Sequence, residues 1–171
     1  MGLSQIRAFV VGLFATFVFF LSAPAGAVTP QELDWCKNMT EGIYSPDLRI
    51  QGCTAAIHSG QWSGKDLAWA FVDRCFGYFG KRDNNDAIAD CTQAIVLDPQ
   101  NAYPYLLRGS AYLDKRAYND AITDFNKVIT LDPKNAVAFF NRGSAKRAVG
   151  DAVGADADIA HAEQLQPGIG K

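Results

Sequence analysis

Four cysteines, two histidines and three aspartates at one recurring interval are the residues of this 171-residue chain whose types could do chemistry. Cys36, Cys53, Cys75 and Cys91 include no C-x-x-C pair, so a thioredoxin-like redox centre is not indicated. Four cysteines without paired spacing and two isolated histidines do not make a structural zinc site either. His58 and His161 lie on separate stretches with no serine or cysteine motif beside them, and His161 stands at helical spacing from Asp158 as a surface pair. Gly60 to Asp66 is one residue short of a phosphate-binding loop, ends in Asp instead of Ser or Thr, and follows a helical stretch. Its plainer use is to start a helix, with Ser63 as the cap and Asp66 near the positive end. Asp83 to Asp86 lacks the glycine and the distal glutamate of a calcium loop and reads as a turn and helix start. A thiol enzyme would need a free cysteine of low pKa. These residues point to no catalytic site, no metal and no cofactor.

The elements that carry them are periodic. Ala102 to Asn135 predicts the residues 34 positions before and after it: Arg74, Arg108 and Arg142 align, as do Ala87, Ala121 and Ala155, Asp90, Asp124 and Asp158, and Pro99, Pro133 and Pro167. The 34-residue period of the aspartates ties them to architecture, with the three arginines as their partners. Within the unit, apolar residues fall at helical spacing on both sides of Arg116-Ala117-Tyr118, and Leu131-Asp132-Pro133 closes it. Each unit is a helical hairpin.

Counted from Ala102, the unit has an aromatic residue fourth (Tyr105), a small one eighth (Gly109), an aromatic eleventh (Tyr112), then Ala121, Phe125, Val128 and Pro133 at the remaining marked places. This pattern resembles the tetratricopeptide repeat. Three repeats cover 68–101, 102–135 and 136–169, with departures at the three arginines, at Lys146, and at Cys75 and Cys91. The resemblance implies an all-α fold, an α-solenoid of helix-turn-helix hairpins, with a concave face built from the first helix of each hairpin. It implies a lining of Trp69, Val72, Phe76 and Phe79, then Tyr103, Leu106, Ser110 and Leu113, then Val137, Phe140, Ser144 and Arg147. Nothing there resembles the Lys/Asn clamp that some relatives use for C-terminal carboxylates, so the expected partner is a protein or peptide gripped by apolar contacts. Aromatics at helical spacing also serve as core, and an N-terminal hairpin could bury Trp69 and Phe76.

Residues 1–27 carry a single charge, Arg7, then a continuous apolar run from Ala8 to Ser22 and small residues at Ala25-Gly26-Ala27. They read as a signal peptide cleaved after Ala27, which makes the mature chain periplasmic or secreted. Removal of those 27 residues leaves 144, with 15 basic and 18 acidic side chains. No Lys/Arg cluster supports nucleic-acid or membrane binding. The Asn38-Met39-Thr40 sequon reads as chance.

Residues 28–67 hold a further, degenerate hairpin, since Cys53-Thr-Ala-Ala-Ile57 echoes Cys91-Thr-Gln-Ala-Ile95. Its first helix runs from about Pro30 to Asn38, and its second starts at Ser45-Pro46 and ends near Ser59-Gly60. Cys36 and Cys53 lie symmetrically about this hairpin's turn, as Cys75 and Cys91 do about residue 83, and the eighth place of the repeat is one of close helix approach. Joining Cys53 to Cys75 is also symmetric, but it leaves Cys36 and Cys91 on helices that are not neighbours. The reading is a non-enzymatic interaction module of exported type; the alternative is a structural subunit whose groove is filled by its own chain or by self-association. Non-reducing peptide mapping of the mature protein is expected to recover Cys36 with Cys53 and Cys75 with Cys91, and a Cys53–Cys75 peptide would overturn the pairing within hairpins.

Overall fold

A computed structural model describes residues 26–37 and 45–170. The signal sequence up to Ala25 and the Asn38 sequon fall outside the described residues. Within them the chain is all-helical: α1 (Pro30–Lys37), α2 (Pro46–His58), a 3-10 turn (Gly64–Leu67), α3 (Ala68–Gly80), α4 (Asn84–Leu97), α5 (Ala102–Asp114), α6 (Tyr118–Leu131), α7 (Ala136–Ala148) and α8 (Ala152–Leu165). Consecutive helices pair as α1 with α2, α3 with α4, α5 with α6 and α7 with α8, and each pair's second helix packs on the first of the next.

The sequence starts and stops these helices by repeated local chemistry. Asn101 and Asn135 cap α5 and α7 through their side-chain oxygens, Asp83 and Asp151 cap α4 and α8, and Ser45 with Pro46 opens α2. Ser63 departs from its expected capping role, because its side chain makes no cap bond; its backbone carbonyl instead accepts from Asp66 N at 3.2 Å in the 3-10 turn. Each of the three later hairpins turns at one left-handed residue, Arg82, Arg116 and Gly150, one period apart. The following amide then bonds back, Asp83 to Tyr78, Ala117 to Tyr112 and Asp151 to Lys146.

Close approach inside each hairpin falls on one pair of places. A Cβ on Gly109 would lie 2.8 Å from the Phe125 ring, and one on Gly143 would lie 2.9 Å from Ile159. The corresponding residues of the first full unit are Cys75 and Cys91, which are joined with Cα atoms 5.4 Å apart. Cys36 and Cys53 are joined across α1 and α2, Cα to Cα 4.7 Å. Core clusters then run between units: Val72, Ala87, Ala94, Leu107 and Ala111 form one, and Tyr105, Phe125, Val128, Ala138 and Ala145 the next.

An arginine holds each unit to the one before it. Arg74, Arg108 and Arg142 each fork onto a carboxylate of their own hairpin, Asp90, Asp124 and Asp158, with N···O distances of 2.6–2.8 Å. The remaining nitrogen of each reaches back to the preceding hairpin: Arg74 to Thr54 at 3.1 Å, Arg108 to Thr92 at 2.9 Å, and Arg142 to Asn126 at 2.6 Å. Because Asp124 is only 3% exposed, removing it leaves a guanidinium that is mostly withdrawn from water without its carboxylate. Asp124→Ala is expected to cost about 3–5 kcal/mol in chemical denaturation, and Arg108→Leu/Asp124→Ala to recover most of that loss, since an apolar pair avoids the uncompensated charge. A double variant no better than the single would show that the packing, not the charge, is what matters.

Candidate functional site: the first-helix face

The first helices of successive hairpins lie side by side, α3 on α5 and α5 on α7, so the residues marked by the sequence share one face. Their surroundings differ. Val72 is 6% exposed and belongs to the core cluster with Leu107, so it presents almost no surface. Phe76, Phe79 and Tyr103 are half-buried against the same cluster, and Leu106 and Leu113 against the next. The physical reason is the spacing of neighbouring first helices: these places on one helix touch the next, so only part of each side chain is left to face the groove. Trp69 is half-buried and meets Trp62 edge-on, with ring centroids 5.3 Å apart. Phe140, on the last first helix, is half-buried and bounds a recess of about 620 Å³ with Ser144, Ile159 and Ile169.

The N-terminal hairpin adds polar groups that sequence reasoning passed over. Lys37 Nζ stands 4.6 Å from the Trp69 ring centroid, and the buried Arg49 guanidinium 4.8 Å from that of Phe76. Between them on α3 is Asp73, a half-buried carboxylate. Burial pushes its pKa up to about 6, with Arg49 and then Lys37 pulling the other way. Tyr103 is raised as well, by burial first and then by the Asp73 charge. One period on from Asp73 stand Leu107 and Asn141, and Leu107 is 6% exposed. A carboxylate in a column that is otherwise apolar or neutral was the signal that could have found this residue.

The groups suspected of chemistry are accounted for structurally. Asp158 is engaged by Arg142 and, at 2.9 Å, by Lys146, while His161 lies with its ring centroid 4.4 Å from that of Phe139. This corrects the pairing of His161 with Asp158. Among the described residues no group of three His, Cys, Asp or Glu side chains could hold a metal, and no helix is long and apolar enough to cross a membrane.

A family model described as TPR repeat matches residues 109–150. The second TPR of Spaghetti (RPAP3) bound to the HSP90 peptide SRMEEVD is 31% identical, covering 60% of this chain and 94% of its own, with a TM-score of 0.59. The second TPR domain of human RPAP3 in complex with the HSP70 peptide SGPTIEEVD is 33% identical over 57% of this chain and 82% of its own, TM-score 0.56. MamA, at 22% identity over 70% of this chain and 63% of its own, shares the fold with a TM-score of 0.63. No curated protein matches the chain.

A folded-state carboxyl raised from 3.8 to about 6 binds its proton more tightly than in the unfolded chain. Its contribution is therefore most favourable at acid pH and is lost as pH rises through about 6. Asp73→Asn is expected to stabilise the protein at pH 7.5 by on the order of 1–3 kcal/mol and to have little effect at pH 4. Urea denaturation across that range measures it; a less stable variant at pH 7.5 would mean that Asp73 is held as an ion pair.

Proposed function

We propose that this chain, which belongs to the tetratricopeptide repeat family, is a non-enzymatic interaction module that receives a protein or peptide on its first-helix face. The observation that carries the reading is the run of half-buried aromatics, Trp69, Phe76 and Tyr103, on adjoining helices beside a strained carboxylate. The two RPAP3 domains, similar in fold and above 30% identity, are described with bound peptides. We propose Trp69, Phe76, Phe79, Tyr103, Leu106, Leu113 and Phe140 as contact residues, with Val72 acting beneath them as core.

Export is the companion proposal. The two cysteine pairs point to an oxidising, non-cytoplasmic environment, which suits a signal peptide over 1–27 and delivery to the periplasm or outside the cell. The proposed functional division is a disulfide-bonded hairpin at 28–67 followed by repeats at 68–101, 102–135 and 136–169. A second reading, in which the face is filled by the chain itself, is favoured at one end by Gly170, which stands close against the Phe140 ring.

Affinity capture from the exported fraction, followed by a binding measurement on the captured partner, tests the first reading. Tyr103→Ala is expected to weaken that partner by about 1–3 kcal/mol while lowering stability far less than Phe125→Ala, which removes a fully buried ring and costs about 3–5 kcal/mol. Unfolding by Tyr103→Ala with no partner-specific defect would make Tyr103 core and sink the groove reading.

A further inference from the structure

A recess of about 550 Å³ opens where the N-terminal hairpin meets the first full repeat, lined by Trp62, Lys65, Asp66, Trp69, Asp98 and Asn101. It lies at the starts of α3 and α5, and of the proposed contact residues only Trp69 belongs to it. Trp62 meets Trp69 edge-on, with the two ring planes at 90°, so the indoles form a corner. The period does not require that corner. One unit on, the places of Trp62 and Trp69 hold Val96 and Tyr103, and two units on Thr130 and Val137.

The polar wall also departs from the repeat. Asp98 and Asn101 recur as Asp132 and Asn135, where Asn135 Nδ2 donates to Asp132 Oδ2 at 3.0 Å and ties the turn together. At the recess Lys65 Nζ reaches Asp98 Oδ1 at 3.3 Å instead, while among the described residues neither Asn101 Nδ2 nor the Asp66 carboxylate has a hydrogen-bond partner. The wall thus keeps both a donor and an acceptor open. Its charges decide what kind of ligand they suit. Lys37 Nζ already stands 4.6 Å from the Trp69 centroid and 6.0 Å from that of Trp62, so the indoles have their cation, and Lys65 adds a second positive charge. Asp66 and Asp98 oppose an anion. The two lysines and two aspartates leave no net charge, and neither sign of ligand is favoured.

We propose that this recess binds a neutral pyranose sugar, with the ring's C–H face against the indole corner and its hydroxyls on Asp66, Asp98, Asn101 and Lys65. A pyranose is uncharged, has an apolar face for the rings, and carries hydroxyls that each donate and accept, which is the combination the lining offers. Carboxylate oxygens of Asp66 and Asp98 accept from hydroxyls, and Asn101 Nδ2 and Lys65 Nζ donate to them. The site goes beyond the protein-interaction reading and does not rest on it, since the sugar needs no partner on the first-helix face.

The test titrates the full chain, expressed for export with its disulfides formed, with the methyl glycosides of glucose, galactose, mannose and N-acetylglucosamine. The indole N–H signals of Trp62 and Trp69 are followed by NMR, with Trp35 on α1, which does not line the recess, as the internal reference. At least one glycoside is expected to move both signals at roughly millimolar concentration, the range for a ligand of so few atoms, and to leave Trp35 in place. Trp62→Ala, read at Trp69, and the surface change Asp66→Ala, read at both indoles, are each expected to weaken binding about tenfold. Methyl glucosaminide and methyl glucuronide, which add one positive or one negative charge to the sugar ring, are expected to bind more weakly than the neutral ring. No movement with any glycoside, equal or tighter binding of a charged ring, or unchanged affinity in both variants would each overturn the proposal. Equal movement with the blocked peptide Ser-Gly-Thr would assign the recess to a peptide and overturn it too. None of these outcomes touches the Tyr103 capture experiment, whose failure in turn leaves the sugar titration interpretable.

Discussion

The fork of an arginine onto an aspartate of its own hairpin, with the third nitrogen bonded to the hairpin before, is the constraint on which the solenoid depends. A charge-assisted bidentate bond fixes the angle between the two helices of a unit, and the remaining bond fixes the register between units. Leucine at that place would give apolar packing without either restriction. The guanidinium is mostly withdrawn from water, which makes the arrangement intolerant of losing one partner while adding less to net stability than its short distances suggest. Its effect is specificity of geometry, repeated three times along the array.

Much of this could be read from the sequence because one period governs it. Arg108 and Asp124, Gly109 and Phe125, and Pro133 recur in columns, so a single unit predicts hairpins, their partners and their closest contacts. Burial was harder to read. Val72 and Trp69 stand in equivalent groove columns by spacing, yet one is core and the other partly open, because that depends on how near the next first helix lies. Asp73 is visible as an odd residue in the column of Leu107, but its strain arises from burial, which Arg49 and Lys37 of the N-terminal hairpin only partly offset. The Ile169-Gly170 contact lies past the last proline, where the period no longer constrains anything.

The N-terminal hairpin shows how a degenerate unit still joins the array. Thr54 receives Arg74 as Thr92 receives Arg108, although the spacing of 20 residues replaces the 16 of the later units. Gly77 is pressed against Ile50, where a Cβ would stand 2.9 Å away, and Lys81 pairs with Asp47. What the short α1 lacks in buried area is supplied by the Cys36–Cys53 bond, which restricts the unfolded chain. Cys75–Cys91 does the same in a unit where the Gly109–Phe125 kind of contact has been replaced by two residues of intermediate size joined covalently.

The two ends of the array are therefore finished by different physics. At the start, a covalent bond makes a small hairpin rigid enough to cover α3, and its cations settle over the aromatic rings and the Asp73 charge that would otherwise face water. At the finish, the columns that hold Ile88, Ile95, Ile122 and Ile129 become Asp156 and Glu163, which discourages further stacking because a buried carboxylate without a partner is costly. Asp156 is indeed open to solvent, with a side chain 73% exposed, and pairs with Arg147. Phe140 has no such polar replacement; it stays half-buried beside an open recess, with Gly170 close against its ring and the turn before it held through Glu163.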